Sequence, residues 1–318
     1  MRNKDITTIK PVICVVGPTA SGKTSLSQQL ALRLNGEVVS ADSMQVYKGL
    51  DIGTGKIPTN QMLVKHYGID ICNLSNPYSA ALFQPYARKC FLDIDARSKR
   101  SILCGGTGLY IRSAIDDYSF VDGDQVENPT RQKYTQILEN IGNQALWDML
   151  NSKDPQSASL IHPNNSRRVI RAFELLQENT SYAIQFNNLQ TLQQKVPAIF
   201  IGLQVDPLLL ANRISDRVDN MFDCGLVAEV KHLLDSGFRD AITAPQAICY
   251  KEIVACLDNG ISLDVARTNI KVASRRYAKR QRTWFRKDKR IAWIDANNLE
   301  MQHLLEQIAK TKLIPEIV

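Results

Sequence analysis

The chain has 318 residues, 44% of them hydrophobic, with a net charge of +7; that is enough apolar material to exclude a disordered chain and to build one large domain with an insertion, or two domains. No run approaches the roughly 20 apolar residues of a membrane span, and the start Met1-Arg2-Asn3-Lys4-Asp5 runs into a polar stretch without an apolar signal core. A cytoplasmic protein without membrane contact is expected.

The first predicted element is the strand Val12 to Val16, which runs directly into GPTASGKT, Gly17 to Thr24, with a helical pattern from Ser25 to Leu34. Strand, Gly-x-x-x-x-Gly-Lys-Thr loop and helix stand in the order a phosphate-binding loop requires. Gly17 and Gly22 let backbone N–H groups turn toward an anion, Lys23 adds positive charge, and the Thr24 hydroxyl can ligate Mg²⁺. A strand from Glu37 to Ala41 ends at Asp42, followed by Ser43, Met44 and Gln45, an amide and hydroxyl cluster suited to reading a base edge. The acid fits a metal partner, a general base or a helix N-cap, and spacing alone does not choose among them.

After a helix expected from Ala80 to Lys99, the strand Ser101 to Cys104 ends in GGTGLY, Gly105 to Tyr110, with no carboxylate. A nucleotide-hydrolysing protein usually carries a metal-orienting acid at the end of such a strand. From Tyr118 to Lys195 the strand signals stop and the chain becomes polar and helical. Another strand runs from Ile199 to Val205, and the last from Ile291 to Ile294. The alternation predicts an α/β fold: a P-loop nucleotide-triphosphatase-like parallel sheet flanked by helices, with a helical insertion domain. The expected division is 1–117 and 196–318 for the core and 118–195 for the insertion.

Helical patterns cover Leu208 to Phe222, Leu226 to Ser236, Tyr250 to Asn259 and Leu263 to Lys287. Two helices look basic on one side. In Asn164 to Gln177, Val169, Ala172, Phe173 and Leu176 share a face, with Arg167, Arg168 and Arg171 broadly opposite. In the last helix, Ala266, Ile270, Ala273, Tyr277 and Trp284 form the expected inner face, and Arg275, Arg276, Lys279, Arg280, Arg282 and Arg286 spread over the rest. Between Lys271 and Arg290 stand ten Lys or Arg and one acid, so the rest of the chain is slightly acidic. The stripe suits phosphate tracking along nucleic acid, against the plainer reading of a solvated face. The seven cysteines, Cys14, Cys72, Cys90, Cys104, Cys224, Cys249 and Cys256, sit mostly in apolar surroundings, show no Cys-x-x-Cys pairing and read as reduced core residues.

The ordered set GPTASGKT, ADSMQVYKGLDIGTGK (41–56), GGTGLY, HPNNSRRVIRAFE (162–174), RISDRVDNMFDCGLVAEV (213–230) and KRQRTWFR (279–286) resembles the tRNA dimethylallyltransferases, also called tRNA isopentenyltransferases, from about Val12 to Arg290. The resemblance implies transfer of a dimethylallyl group from dimethylallyl diphosphate to N6 of the adenosine immediately 3′ of the anticodon, with release of diphosphate. Gly17, Thr19, Ala20, Ser21, Gly22, Lys23 and Thr24 are then the diphosphate cradle, with Mg²⁺ on Thr24. Asp42, Thr107 and Arg217 are similar to the family's catalytic residues. The anticodon stem-loop would meet Asp42, Ser43, Met44, Gln45 and Thr107, then Arg167, Arg168, Val169, Ile170 and Arg171. It would also meet Gln246, Tyr250 and Lys251, and Lys279, Arg280, Gln281, Arg282, Thr283, Trp284, Phe285 and Arg286. The stretch QAICYKE departs from the pattern by placing Cys249 where the family commonly has Gly, and a β-carbon there restricts φ. KHYGID, Lys65 to Asp70, likewise replaces a more usual His-His-Leu-type stretch. A monomer is expected. Two other readings fit the loop: a small-molecule or nucleoside kinase, and a nonenzymatic RNA-binding protein switched by nucleotide.

Overall fold

The computed structural model describes residues 5–120 and 128–317; Met1 to Lys4, read above as part of a polar start, lie outside the described residues. The chain divides into two compact units, residues 1–116 with 194–318, and residues 117–193.

In the first unit the chain forms β1 (Val12–Val16), α1 (Lys23–Arg33), β2 (Gly36–Ser40), β3 (His66–Tyr67), α2 (Ala80–Ala96), β4 (Arg100–Gly105) and α3 (Gly108–Ile115). The second unit then contributes α4 (Pro129–Lys153), α5 (Pro155–Ser159), α6 (Ser166–Gln177) and α7 (Tyr182–Thr191). The first unit resumes with β5 (Ala198–Gln204), α8 (Pro207–Asp223), α9 (Leu226–Asp235), α10 (Tyr250–Asn259), α11 (Leu263–Phe285), β6 (Ile291–Asp295) and α12 (Met301–Lys310). Six strands form one parallel sheet in the order β3-β2-β4-β1-β5-β6. The apolar runs are long because β1, β2 and β4 are buried along their whole length, as parallel strands covered on both faces must be.

Register positions the site. Val16 pairs with Gly105 on one side and Gly202 on the other, and Ser40 pairs with Cys104. The carboxyl ends of β1, β2 and β4 are therefore level, and the segments that follow them (17–24, 41–45 and 105–107) leave the sheet along one edge. That edge is where open α/β sheets hold ligands. Leu26, Leu30, Ile201, Leu203, Ile214 and Ala278 join α1, β5, α8 and α11 in one core.

The expected strands and helices lie within a few residues of the observed ones. The edge strand β3 was not anticipated, since two residues are too few to show a period. α1 begins at Lys23 rather than Ser25 because Gly22 takes a left-handed conformation at its N-cap. α2 stops at Ala96 rather than Lys99, with Ser98 at φ 61 turning the chain into β4.

The second unit has its own core of Tyr134, Leu146, Leu150, Ala158, Val169 and Phe173. Tyr134 and Phe173 stack with ring centroids 3.8 Å apart. Glu174 is fully buried there and is held by Arg131 (2.6 Å) and Arg171 (2.8 Å).

Candidate active site

The chain from Gly17 to Thr24 wraps over the end of β1. Its backbone is left-handed at Ala20 (φ 62) and Gly22 (φ 89), turns of the kind that aim successive N–H groups into one concavity. Gly22 is the N-cap of α1, so the positive end of that helix dipole faces the same space. Ser21 is fully buried, and its hydroxyl has no partner among the described residues. Lys23 opens the helix and donates from Nζ to the Pro18 carbonyl at 2.6 Å. Burial pushes its ammonium down to about 8, and the charge of Arg217 adds to that effect.

Arg217 reaches the site from α8. It donates from Nη2 to the Thr54 carbonyl at 3.1 Å, and burial lowers its pKa from the ordinary arginine value. The approach requires a glycine at 55: a β-carbon there would lie 2.0 Å from Nη2. Being bonded here to a carbonyl, the guanidinium keeps its charge available to an anion. Lys23, Thr24, Gly55 and Arg217 line two adjoining spaces. One is an outer mouth of about 340 Å³ bordered by 20–25 and 55–58. The other is an inner cavity of about 80 Å³ whose wall includes Asp42, Gln45, Val38, Ile57, Ile69 and Tyr277.

Asp42 accepts through one oxygen, Oδ1, from the N–H groups of Met44 (2.9 Å) and Gln45 (3.4 Å). It is thus a turn cap, while Oδ2 takes no hydrogen bond among the described residues. Thr107 accepts from the Ser43 N–H at 3.2 Å, joining the turn after β4 to the turn after β2. Gln45 accepts from Ser40 Oγ (3.1 Å) and donates to the carbonyls of Thr54 (3.4 Å) and Gly55 (3.5 Å).

Several residues expected to meet RNA are instead internal. Gln281 is buried; its Oε1 accepts from the Thr19 N–H at 2.8 Å and its Nε2 donates to the Gly106 carbonyl at 3.0 Å. It therefore links the 17–24 loop to the GGT turn, and it occupies the Thr19 amide expected to face diphosphate. Tyr250 is fully buried, with its hydroxyl on Glu229 at 2.6 Å. Val169, Ile170 and Phe285 are buried core residues, and Arg171 is held by buried Glu174. The reason is helical geometry: a residue next to an outward arginine is turned about 100° from it and can belong to the core face.

On α11 the buried face is Ala266, Ile270, Ala278, Gln281 and Phe285; Ala266 and Ile270 are as expected, while Ala278, Gln281 and Phe285 take the places expected of Ala273, Tyr277 and Trp284. Trp284, expected inside, is 37% exposed and lies against the backbone of Gly108 beside the GGT turn. Lys279, Arg280, Thr283 and Arg286 are exposed, and Arg282 is half-buried. Arg167, Arg168, Gln246 and Lys251 are also at the surface, and Ser43 and Met44 are half-buried. Sequence reading missed Tyr277 as a site residue. It lines the inner cavity, and burial pushes its hydroxyl up to about 12; its spacing of four from Gln281 on one helical face was the available signal.

All seven cysteines are free thiols, six buried and Cys224 exposed. Among the described residues no cluster of three His, Cys, Asp or Glu is placed to hold a metal, and no helix is long and apolar enough to cross a membrane.

A family model described as IPP transferase matches residues 45–288, and one described as isopentenyl transferase matches residues 10–74. The tRNA dimethylallyltransferase of Carboxydothermus hydrogenoformans is 45% identical over 93% of this chain and 96% of its own length. Among solved structures, a tRNA isopentenylpyrophosphate transferase from Staphylococcus epidermidis superposes with a TM-score of 0.69 at 40% identity, covering 95% of this chain and 99% of that one. A eukaryotic dimethylallyltransferase acting on tRNA superposes with a TM-score of 0.77 at 31% identity, over 94% of this chain and 77% of the other.

Proposed function

The chain belongs to the IPP transferase family, and from that premise we propose that it transfers a dimethylallyl group to tRNA, with dimethylallyl diphosphate as donor and N6 of the adenosine 3′ of the anticodon as acceptor. The observation that carries the finer reading is the order of groups along the cavity. The helix N-terminus, Lys23 and Arg217 stand at the outer mouth, and Val38, Ile57 and Ile69 line the inner space that also reaches Asp42. A diphosphate headgroup suits the first, a short branched hydrocarbon the second, and Asp42 meets an incoming amine.

The adenine N6 lone pair is delocalised into the ring and attacks weakly, so a base for its departing proton assists. N6 bonds to C1 of the prenyl group, the bond from C1 to the diphosphate oxygen breaks, and the N6 proton passes to Oδ2 of Asp42. Asp42 Oδ1 stays on the Met44 and Gln45 N–H groups throughout, which fixes the carboxylate. Negative charge grows on the leaving diphosphate, where Lys23, Arg217 and the 20–24 backbone stabilise it.

The residues fit a magnesium ion carried mainly by phosphate oxygens. Thr24 offers one exposed hydroxyl beside Lys23 in the mouth, in keeping with an ion that takes few protein oxygens alongside substrate phosphates and waters. Bound there, Mg²⁺ supplies further neutralisation of the departing charge.

The acceptor base has to leave its stack, and a loop base does so more cheaply than a paired one. Exposed Trp284 offers a stacking surface beside the GGT turn, and Lys279, Arg280 and Arg286 offer charge to the phosphates. We take the enzyme to act as a cytoplasmic monomer.

The test is mass analysis of nucleosides from unmodified tRNA incubated with the protein, Mg²⁺ and dimethylallyl diphosphate. Adenosine gains one C5 prenyl mass and diphosphate appears in equal amount. ATP consumption with ADP release, or tRNA binding with no mass change, would select the kinase or the nonenzymatic reading. Asp42→Ala lowers transfer by about 10²- to 10⁴-fold with tRNA affinity nearly unchanged; equal loss of both assigns Asp42 to anchoring.

A further inference from the structure

We propose that Glu229 on α9 is a positioning residue for Arg217, acting through the segment 51–56; this rests on the reading of Arg217 as a leaving-group cation. The Glu229 carboxylate accepts from three consecutive backbone N–H groups: Asp51 (3.2 Å), Ile52 (2.8 Å) and Gly53 (3.3 Å). Its Oε1 also accepts from the hydroxyl of buried Tyr250 at 2.6 Å, and that hydroxyl in turn accepts from the Gly53 N–H at 3.1 Å. Such a set of donors suits an anion that is only an acceptor; an amide would turn its own NH₂ toward some of them.

The consequence appears at the next residue. With 51–53 gathered on Glu229, the carbonyl of Thr54 takes the Arg217 guanidinium at 3.1 Å. The carbonyls of Thr54 and Gly55 also receive Gln45, across the inner cavity from the phosphate loop. Glu229 lines neither of the two spaces described above that Arg217 lines, yet it sets the backbone that aims it. A carboxylate placed directly on Arg217 would neutralise the cation, whereas one placed on the backbone behind it orients the guanidinium and leaves its charge for the substrate.

A double-mutant cycle tests this, with transfer, tRNA affinity and thermal stability measured together. Glu229→Gln lowers kcat/KM for dimethylallyl diphosphate by about 10- to 100-fold, the scale of misplaced charge-assisted bonds, with tRNA Kd within about twofold. Tyr250→Phe, a milder removal of one donor to Glu229, gives a smaller loss in the same direction. In an Arg217→Ala background both losses shrink to about twofold or less. Additive effects in that background overturn the proposal, as does a fall in tRNA affinity matching the fall in transfer. Wild-type protein that prenylates no tRNA defeats the functional reading itself, a separate outcome from an active wild type with an additive cycle.

Discussion

The dipeptide Gly-Lys occurs at the rim of the same cavity twice, as Gly22-Lys23 and Gly55-Lys56, and the two lysines have opposite fates. Both glycines are left-handed, at φ 89 and φ 61. After the first, the chain enters α1, so its amides and helix dipole face an open mouth, and among the described residues Lys23 bonds only the Pro18 carbonyl. After the second comes Ile57-Pro58, no long helix forms, and Lys56 turns inward. Its ammonium bonds the Tyr47 carbonyl (2.5 Å), Asp51 (2.7 Å) and Asp70 (2.5 Å), and its side chain is 5% exposed. One lysine is held ready for an anion and the other fastens its own loop. A glycine and a lysine do not by themselves open onto the mouth; the strand before and the helix after them decide it.

The same substitution at both positions separates these roles. Lys23→Met lowers kcat/KM for dimethylallyl diphosphate by about 10²- to 10³-fold, the scale of losing one leaving-group contact. With Lys23 pushed down to about 8, the useful ammonium is present below that pH and lost above it. In the wild type kcat/KM therefore falls as pH rises through about 8, toward a tenfold loss per unit, and Lys23→Met abolishes the fall. Folding disfavours the charged form of this lysine, so the variant is as stable as the parent, or more so, at neutral pH. A pH profile that stays flat to 10 in the wild type would remove Lys23 from the binding step.

Lys56→Met keeps the aliphatic stem packed and removes three bonds. Its carboxylate partners are half exposed, at 58% and 50%, so the loss of stability is about 1 to 2 kcal/mol, read by denaturant unfolding, with transfer reduced less than at Lys23. Gln281→Ala cuts the link between the 17–24 loop and the GGT turn, leaving the Thr19 N–H and Gly106 carbonyl without it. About 1 kcal/mol of stability is lost, and KM for the prenyl donor rises while tRNA affinity holds. A loss confined to tRNA affinity would return Gln281 to the RNA-facing set.

Legibility follows the same division. The segment Gly17 to Thr24 is a local structure, encoded by eight consecutive residues that lead from a strand into the first turn of a helix, and the parallel sheet is encoded by runs of buried apolar residues. What sequence did not disclose is contact between distant segments. The bonds from Gln281 to Thr19 and Gly106, from Glu229 to 51–53, and from Arg217 to Thr54 each span over a hundred residues. The error on α11 has the same origin. Trp284 is apolar and Gln281 polar, so pattern alone puts the first inside and the second outside. The polar atoms of Gln281 are satisfied by backbone groups of two other segments, which lets it be buried, and Phe285 takes the core position beside it.

The smallest effect concerns Cys249, which directs Tyr250 beneath the second loop. The sequence departs here from a common glycine, and the backbone keeps a glycine-like geometry, φ 82 and ψ −51, despite the side chain. Glu252 fixes the turn by accepting from the Cys249 N–H at 2.9 Å. The buried thiol lies 4.0 Å from the Met221 sulfur, a contact that offsets part of the backbone cost. Cys249→Gly and Cys249→Ala lose the same sulfur and differ mainly in backbone preference. At an N-cap glycine is already preferred to alanine. Positive φ adds strain for any β-carbon, so the glycine variant exceeds the alanine variant by about 1 kcal/mol or more. Transfer by the glycine variant stays within about twofold of the wild type, because Tyr250 keeps its place on Glu229 and Gly53. An alanine variant more stable than the glycine variant would mean that the turn before α10 is not left-handed, and the path from Tyr250 to the second loop would have to be redrawn.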